Sequence, residues 1–305
     1  MKKIVGLSQC MVFSMLISVA SLLQANDEPE IFEMDSYKDA MDLFEEIGYT
    51  KASWQTGAHE VHRVYLQNMA SRWRGKYAPE IEISLKKEIF LRALAPLILR
   101  SNELILEDRQ RMLSLVETGA GADAWLRELA LRYKVIESMN GALDENMLIE
   151  LRSRVDAVPN SLALAQTIEE SGWGTSRFAD QGNAMFGQWT WGEKAIKPEQ
   201  QRAGKGNYGI ASFDSPQESV SGYMHNINTH RAYAPLRAKR AEIRAAGKEP
   251  TGADLVPTLI SYSERGQHYI DTLNAIMRQN RLHEADDAVL VGRVILMVPV
   301  GEGAD

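Results

Sequence analysis

The stretch SLALAQTIEESGWGTSRFADQGNAMFGQWTW, residues 161–191, begins with the apolar spacing of a helix and ends with none. Pro159 and Asn160 mark the start of that helix and Gly172 marks its end. On a wheel of about 100° per residue, Leu162, Leu164, Ala165 and Ile168 share one arc. Glu169 lies at the edge of the arc, and Glu170 points almost oppositely, beside Ala163, Gln166 and Thr167. A solvated surface position is the ordinary fate of a helix glutamate. Here the negative end of the helix dipole raises the carboxyl pKa, and shielding by Trp173, Phe186, Trp189 and Trp191 would raise it further. Three of the six tryptophans in the chain fall between residues 173 and 191, among glycines, which suits a groove better than a packed core. A carboxylic acid kept protonated beside flat indole faces is what glycosidic-bond cleavage requires, since the leaving oxygen must be protonated while sugar rings are held.

On either side of this stretch the chain reads as helical. From Ser36 to about Glu137 the apolar residues recur at helical spacing, with Ala40, Leu43 and Phe44 and then Ile89, Leu91, Leu94, Leu97 and Leu99. Pro96 predicts a kink or split in the second run. The turn-rich segment Ser138 to Met147 is the candidate boundary, followed by a helix to about Asp156. Residues 172–209 show little periodicity, residues 215–282 return to helix, and AVLVGRVILMVPV near the end reads as a late strand or docked tail.

The chain of 305 residues is 45% hydrophobic and 25% charged, an ordinary globular composition. Its first residues have the layout of a secretory signal peptide: Lys2 and Lys3, an apolar run from about Val5 to Leu23, then a small residue, with cleavage expected after Ala25. A membrane anchor that stays uncleaved is the alternative, because the run approaches spanning length. Cys10 is the only cysteine, so the mature chain is expected to have no disulfide, thiolate metal site or cysteine nucleophile. Losing Lys2 and Lys3 takes the formal charge from −7 to −9. A chain this acidic, with no basic block, is a poor binder of nucleic acid, and a neutral ligand suits it better.

Glu170-Ser171-Gly172-Trp173-Gly174, with Asn183, Phe186 and Gly187 further on, closely resembles the signature of the glucosaminidase domain of glycoside hydrolase family 73. FDSPQESVSGYMHNINTHRAYAPLR, SYSERGQHY and the earlier FLRALAPLILRSNELIL resemble the Bax-type exported members of that family. The resemblance implies a mainly α fold, a lysozyme-like helical domain with a small β lobe, preceded by a helical N-terminal region. Its layout is a signal peptide at 1–25, a helical region at 26–145 and a glucosaminidase domain at 146–305. The implied activity is hydrolysis of the β-1,4 bond between N-acetylglucosamine and N-acetylmuramic acid in peptidoglycan, in the periplasm and without a cofactor. Glu170 takes the place of the general acid and Tyr262 that of the active-site aromatic. Trp173, Asn183, Phe186, Gly187, Trp189, Trp191 and Tyr269 are the expected substrate contacts. The sequence departs from the family where a second glutamate is expected in a Thr-rich hairpin. Only Glu193 and Glu199 stand there, with Glu199 nearer the expected spacing. If neither serves, the substrate's own N-acetyl group is the remaining candidate.

Other readings are weaker. His59, Glu60 and His62 lack one residue of the HExxH spacing, so no metal is called for. Ser171 lies in no nucleophile elbow. A muramidase, a lytic transglycosylase and a non-catalytic peptidoglycan-binding scaffold stay open as rivals. The N-terminal region carries no chemistry of its own, and bracing the cleft or binding an envelope protein are the roles left for it.

Overall fold

The computed structural model describes residues 28–54, 57, 59–70, 72–119, 121–201, 206–260 and 262–300, so the segment expected to be a signal peptide, with Cys10, lies outside the described residues. The chain runs through β1 (Glu30–Met34), α1 (Tyr37–Glu46), α2 (Lys51–Ser53), β2 (Glu60–Leu66), α3 (Ala78–Glu80) and α4 (Ile83–Glu117). It continues through α5 (Ala124–Arg132), α6 (Glu145–Arg154), α7 (Asn160–Ser171) and α8 (Arg177–Gly182). The short strands β3 (Trp189–Thr190), β4 (Ala195–Ile196) and β5 (Gly209–Ala211) follow, then α9 (Pro216–Thr229), α10 (Ala234–Ala245), α11 (Gly252–Leu255), α12 (Gln267–Gln279) and β6 (Val289–Pro299). The fold is mainly helical with two small sheets. Among the described residues no helix is long and apolar enough to cross a membrane.

α7 is the axis of the molecule. Every residue from Asn160 to Ile168 is buried, and α4, α11, α12 and the 3-10 turn Leu282–Asp287 pack around it. Its apolar arc therefore marks only one of several buried faces, and the side carrying Gln166 and Thr167 is buried as well. Pro159 offers the helix no side-chain cap. The cap comes instead from Asp286, whose Oδ1 accepts the Ser161 N–H at 2.8 Å and whose Oδ2 accepts the Ser161 hydroxyl at 2.7 Å. Asn102 of α4 holds the same entry, donating to the Val158 carbonyl at 2.7 Å and to Asn160 Oδ1 at 2.8 Å. At the other end Gly172 terminates the helix at φ 58°.

Two features differ from the sequence reading. The run from 36 to 137 is not all helix, because β2 lies within it and pairs in parallel with β6, as β1 does from the other side, giving the order β1-β6-β2. Its partner lies at the far end of the chain, so no local turn signal announces the strand. α4 is also not split at Pro96, the second of the two outcomes expected there, because Ala93 to Leu99 are buried against β2, α7 and α9, and this packing outweighs the missing N–H bond. The late strand is present as β6, the middle strand of the sheet.

The main core joins residues from Met34 and Phe44 through Leu97, Leu162 and Tyr223 to Ile295 and Met297. A second, smaller core of Met112, Leu126, Leu129, Leu151 and Val155 sits where the end of α4 meets α5 and α6. The β lobe is the antiparallel sheet β3-β5-β4, with Trp189 opposite Ile210 and Ile196 opposite Ile210 on the other side.

Candidate active site

The turn after α7 has a backbone that few sequences allow. Gly172, Trp173 and Gly174 lie in succession at φ 58°, 61° and 73°. Gly174 needs glycine for its conformation, and a Cβ there would also crowd the flexible end of Met69, 2.8 Å from its Cε. Ser171 holds the turn, its hydroxyl donating to the Thr167 carbonyl at 2.6 Å and accepting the Gly174 N–H at 3.0 Å. Ser171 is thus fully used by its own backbone.

This turn leaves Glu170 in the last turn of α7 with its carboxyl half-buried. The Tyr269 hydroxyl, from the first turn of α12, donates to Glu170 Oε1 at 2.9 Å. Tyr262 stacks on Tyr269 with rings 5.3 Å apart and 6° from parallel, and Tyr233 adjoins Tyr262 at 5.7 Å. Behind them the buried Gln166, one turn before Glu170, donates to the Tyr269 oxygen at 3.0 Å and accepts the hydroxyl of Tyr223 from α9. Gly187, at φ 57°, lies on the other side, where an added Cβ would come within 3.7 Å of Glu170 Oε2. Glu169 turns away and pairs with Arg265 at 2.5 Å.

Burial raises the Glu170 pKa, the Glu169 charge adds to the rise, and the Tyr269 hydrogen bond and the Arg265 charge oppose it. Burial likewise keeps the hydroxyls of Tyr269, Tyr262, Tyr223 and Tyr233 protonated, and the adjacent Glu170 charge adds to the effect in each. The result is a carboxyl that holds its proton to higher pH than usual, among hydroxyls that stay neutral donors. That is the equipment of a general acid.

Of the residues singled out by sequence, the structure brings Glu170, Tyr262, Tyr269 and Gly187 together. Phe186 stacks on Tyr223 at 3.9 Å and is buried, so it supports the tyrosine floor from beneath. Asn183 works as a pin: its Oδ1 accepts the Met69 N–H at 2.9 Å and its Nδ2 donates to the Phe213 carbonyl at 3.1 Å, with its backbone at φ 50°. The Trp173 ring faces α4, edge-on to Phe90 at 5.6 Å and under the Lys87 ammonium at 5.1 Å. Trp189 and Trp191 stand on the β lobe, 38% and 66% exposed, with Trp189 stacked on Tyr208 at 4.3 Å.

Neither candidate for the second acid joins Glu170. The Glu199 side chain is 86% exposed and lies 3.9 Å from Arg177 of α8, while Glu193 is exposed between β3 and β4. Sequence reasoning placed Gln166 on the correct side of the helix without assigning it a role, and it missed Tyr223 and Tyr233. The available signal was the position of Gln166 four residues before Glu170, which puts both on one face.

Residues 145–282 match the glucosaminidase family, described as mannosyl-glycoprotein endo-beta-N-acetylglucosaminidase. The chain is 36% identical over 200 residues to Protein bax of Escherichia coli (strain K12), a match covering 64% of this chain and 70% of that protein. It is also similar to the crystal structure of the catalytic domain of the autolysin Auto from Listeria monocytogenes, at 16% identity and a TM-score of 0.33 over 58% of this chain and 86% of that one. With a half-buried acid at the end of its central helix and a matched domain around it, the chain belongs to the glucosaminidase family, glycoside hydrolase family 73.

Proposed function

We propose that this protein is an exported peptidoglycan hydrolase acting in the periplasm, an endo-β-N-acetylglucosaminidase cleaving the β-1,4 bond between N-acetylglucosamine and N-acetylmuramic acid. The observation that carries the reading is the Glu170 carboxyl, raised in pKa by burial and hydrogen-bonded by Tyr269, inside a glucosaminidase-family domain. Glu170 donates its proton to the glycosidic oxygen as the bond to the sugar carbon breaks, and water completes the cleavage. The exposed rings of Trp189 and Trp191 offer flat apolar faces for sugars. The carboxylate neighbour of Glu170 is Glu169, which Arg265 holds, so we assign the stabilisation of the developing positive charge to the N-acetyl group of the substrate.

The test is digestion of purified peptidoglycan by the mature protein and by Glu170→Gln, followed by borohydride reduction and mass spectrometry of the new ends. Reducing N-acetylglucosamine ends from the wild type alone support the reading. Reducing or anhydro-muramic ends move the cut to the other side of the repeat. Binding without new ends makes the protein a scaffold.

A further inference from the structure

Tyr269 donates to one oxygen of Glu170, yet a tyrosine hydroxyl beside a carboxylic acid can equally accept, and the acid proton would then be spent on the tyrosine. What decides the direction lies deeper. Among the described residues the Tyr223 hydroxyl, almost wholly buried, meets Gln166 Oε1 as its hydrogen-bond partner. A hydroxyl hydrogen needs an acceptor, so Tyr223 holds the Gln166 amide with its oxygen inward and its NH2 toward Tyr269. Gln166 Nε2 then donates to the Tyr269 oxygen at 3.0 Å, which leaves the Tyr269 hydrogen to point at Glu170 Oε1, 2.9 Å away. Turning the amide over would strand the Tyr223 hydrogen in a buried site without an acceptor.

We infer that Gln166 is a positioning residue: oriented by Tyr223, it commits Tyr269 to donate to Glu170 Oε1, so that the acid proton of Glu170 is carried on Oε2. Gly187 lies beside that second oxygen, where a side chain would begin 3.7 Å away. The inference rests on the reading of Glu170 as general acid for its consequence but not for its geometry. Among the described residues the ionisable groups acting on Glu170 are Glu169 on its own helix, Arg265 and Tyr269, and the Glu170 charge in turn acts on Tyr262, Tyr223 and Tyr233.

The experiment uses two variants of the mature protein, Gln166→Met and Tyr223→Phe. The second removes one hydroxyl and retains the ring stacked on Phe186, so it remains informative should the first fail to fold. Two quantities are read: the titration of the Glu170 carboxyl by carbon NMR on labelled glutamate, assigned with Glu170→Gln, and kcat and KM on peptidoglycan as a function of pH. A donor polarised by Gln166 stabilises the ionised carboxyl, so losing that polarisation raises the Glu170 pKa and moves the basic limb of kcat upward. At the same time the proton can turn toward Tyr269, and kcat falls about tenfold with KM little changed. An unchanged carboxyl titration in a folded variant overturns the inference whatever the rates do. Shifted titrations together with a wild type that cleaves no glycan support the hydrogen-bond chain and remove the glycosidase reading instead.

Discussion

At the scale of single residues, the site depends on one acid whose surroundings are set against its charge. A carboxyl with a raised native pKa binds more protons folded than unfolded, so it costs stability above the raised value and nothing below the ordinary carboxylate range. Glu170→Gln is therefore expected to melt higher than the wild type at pH 8 and equally at pH 3, roughly the two sides of that window, in parallel thermal scans. With Glu170 as the proposed general acid, the same shift is expected to make activity fall as pH rises through the Glu170 pKa, read as the basic limb of kcat. Gly187→Ala forces a side chain onto φ 57° beside Glu170 Oε2; it is expected to cost about 1 kcal/mol in denaturant unfolding and to reduce turnover beyond what that loss explains. Asn183→Ala removes the pin between Met69 and Phe213, so about 2 kcal/mol of stability goes while KM on peptidoglycan is unchanged. A rise in KM at equal folded fraction would make Asn183 a substrate contact instead.

At the scale of elements, α7 carries the acid and is held at one end by its own turn and at the other by residues remote in sequence. Its C-terminal turn is local, built from Ser171 and two glycines at positive φ. Its N-terminal cap is not local: Asp286 accepts from Ser161 and also from the Gly252 N–H at 3.1 Å, joining the starts of α7 and α11 to the 3-10 turn before β6. Burial raises the Asp286 pKa while these hydrogen bonds pull it down. Asp286→Ala strands buried donors at two helix starts and is expected to cost about 2 kcal/mol, read as a lower denaturant midpoint with an unchanged slope. The β lobe is a much smaller element, rooted two residues after Gly187, and its strands depend on the close approach of Gly209 to Ala195.

At the scale of the whole molecule, early and late strands of the described chain meet in one sheet, and the main core takes side chains from both. β6 is the middle strand, so removing residues 289–305 would unpair β1 and β2 together and withdraw Ile295 and Met297 from the core. Each of those side chains contributes about 2 kcal/mol by burial, and the ladder bonds add to them, a sum comparable to the stability of a typical domain. The truncated chain is expected to give no cooperative thermal transition by circular dichroism. A cooperative melt near that of the full chain would show that the sheet is dispensable.

The sequence by itself determined the central helix, its start at Asn160, its glycine stop, the acid in its last turn and the late apolar strand. Caps, helical spacing and positive-φ glycines act within a few residues, so they can be read from neighbours along the chain. Tyr262 and Tyr269 are named at the sequence level through the family resemblance, but only the tertiary structure brought Tyr223 and Tyr233 to Glu170. The tryptophans nearest in sequence went to α4 and to the β lobe, whereas the acid received tyrosines from α9, the 3-10 turn after it, the turn before α12 and α12 itself. It also decided that Glu199 pairs with Arg177 and that α4 passes Pro96 unbroken. These outcomes depend on which buried surfaces meet across long stretches of chain, and packing settles that without leaving a local trace.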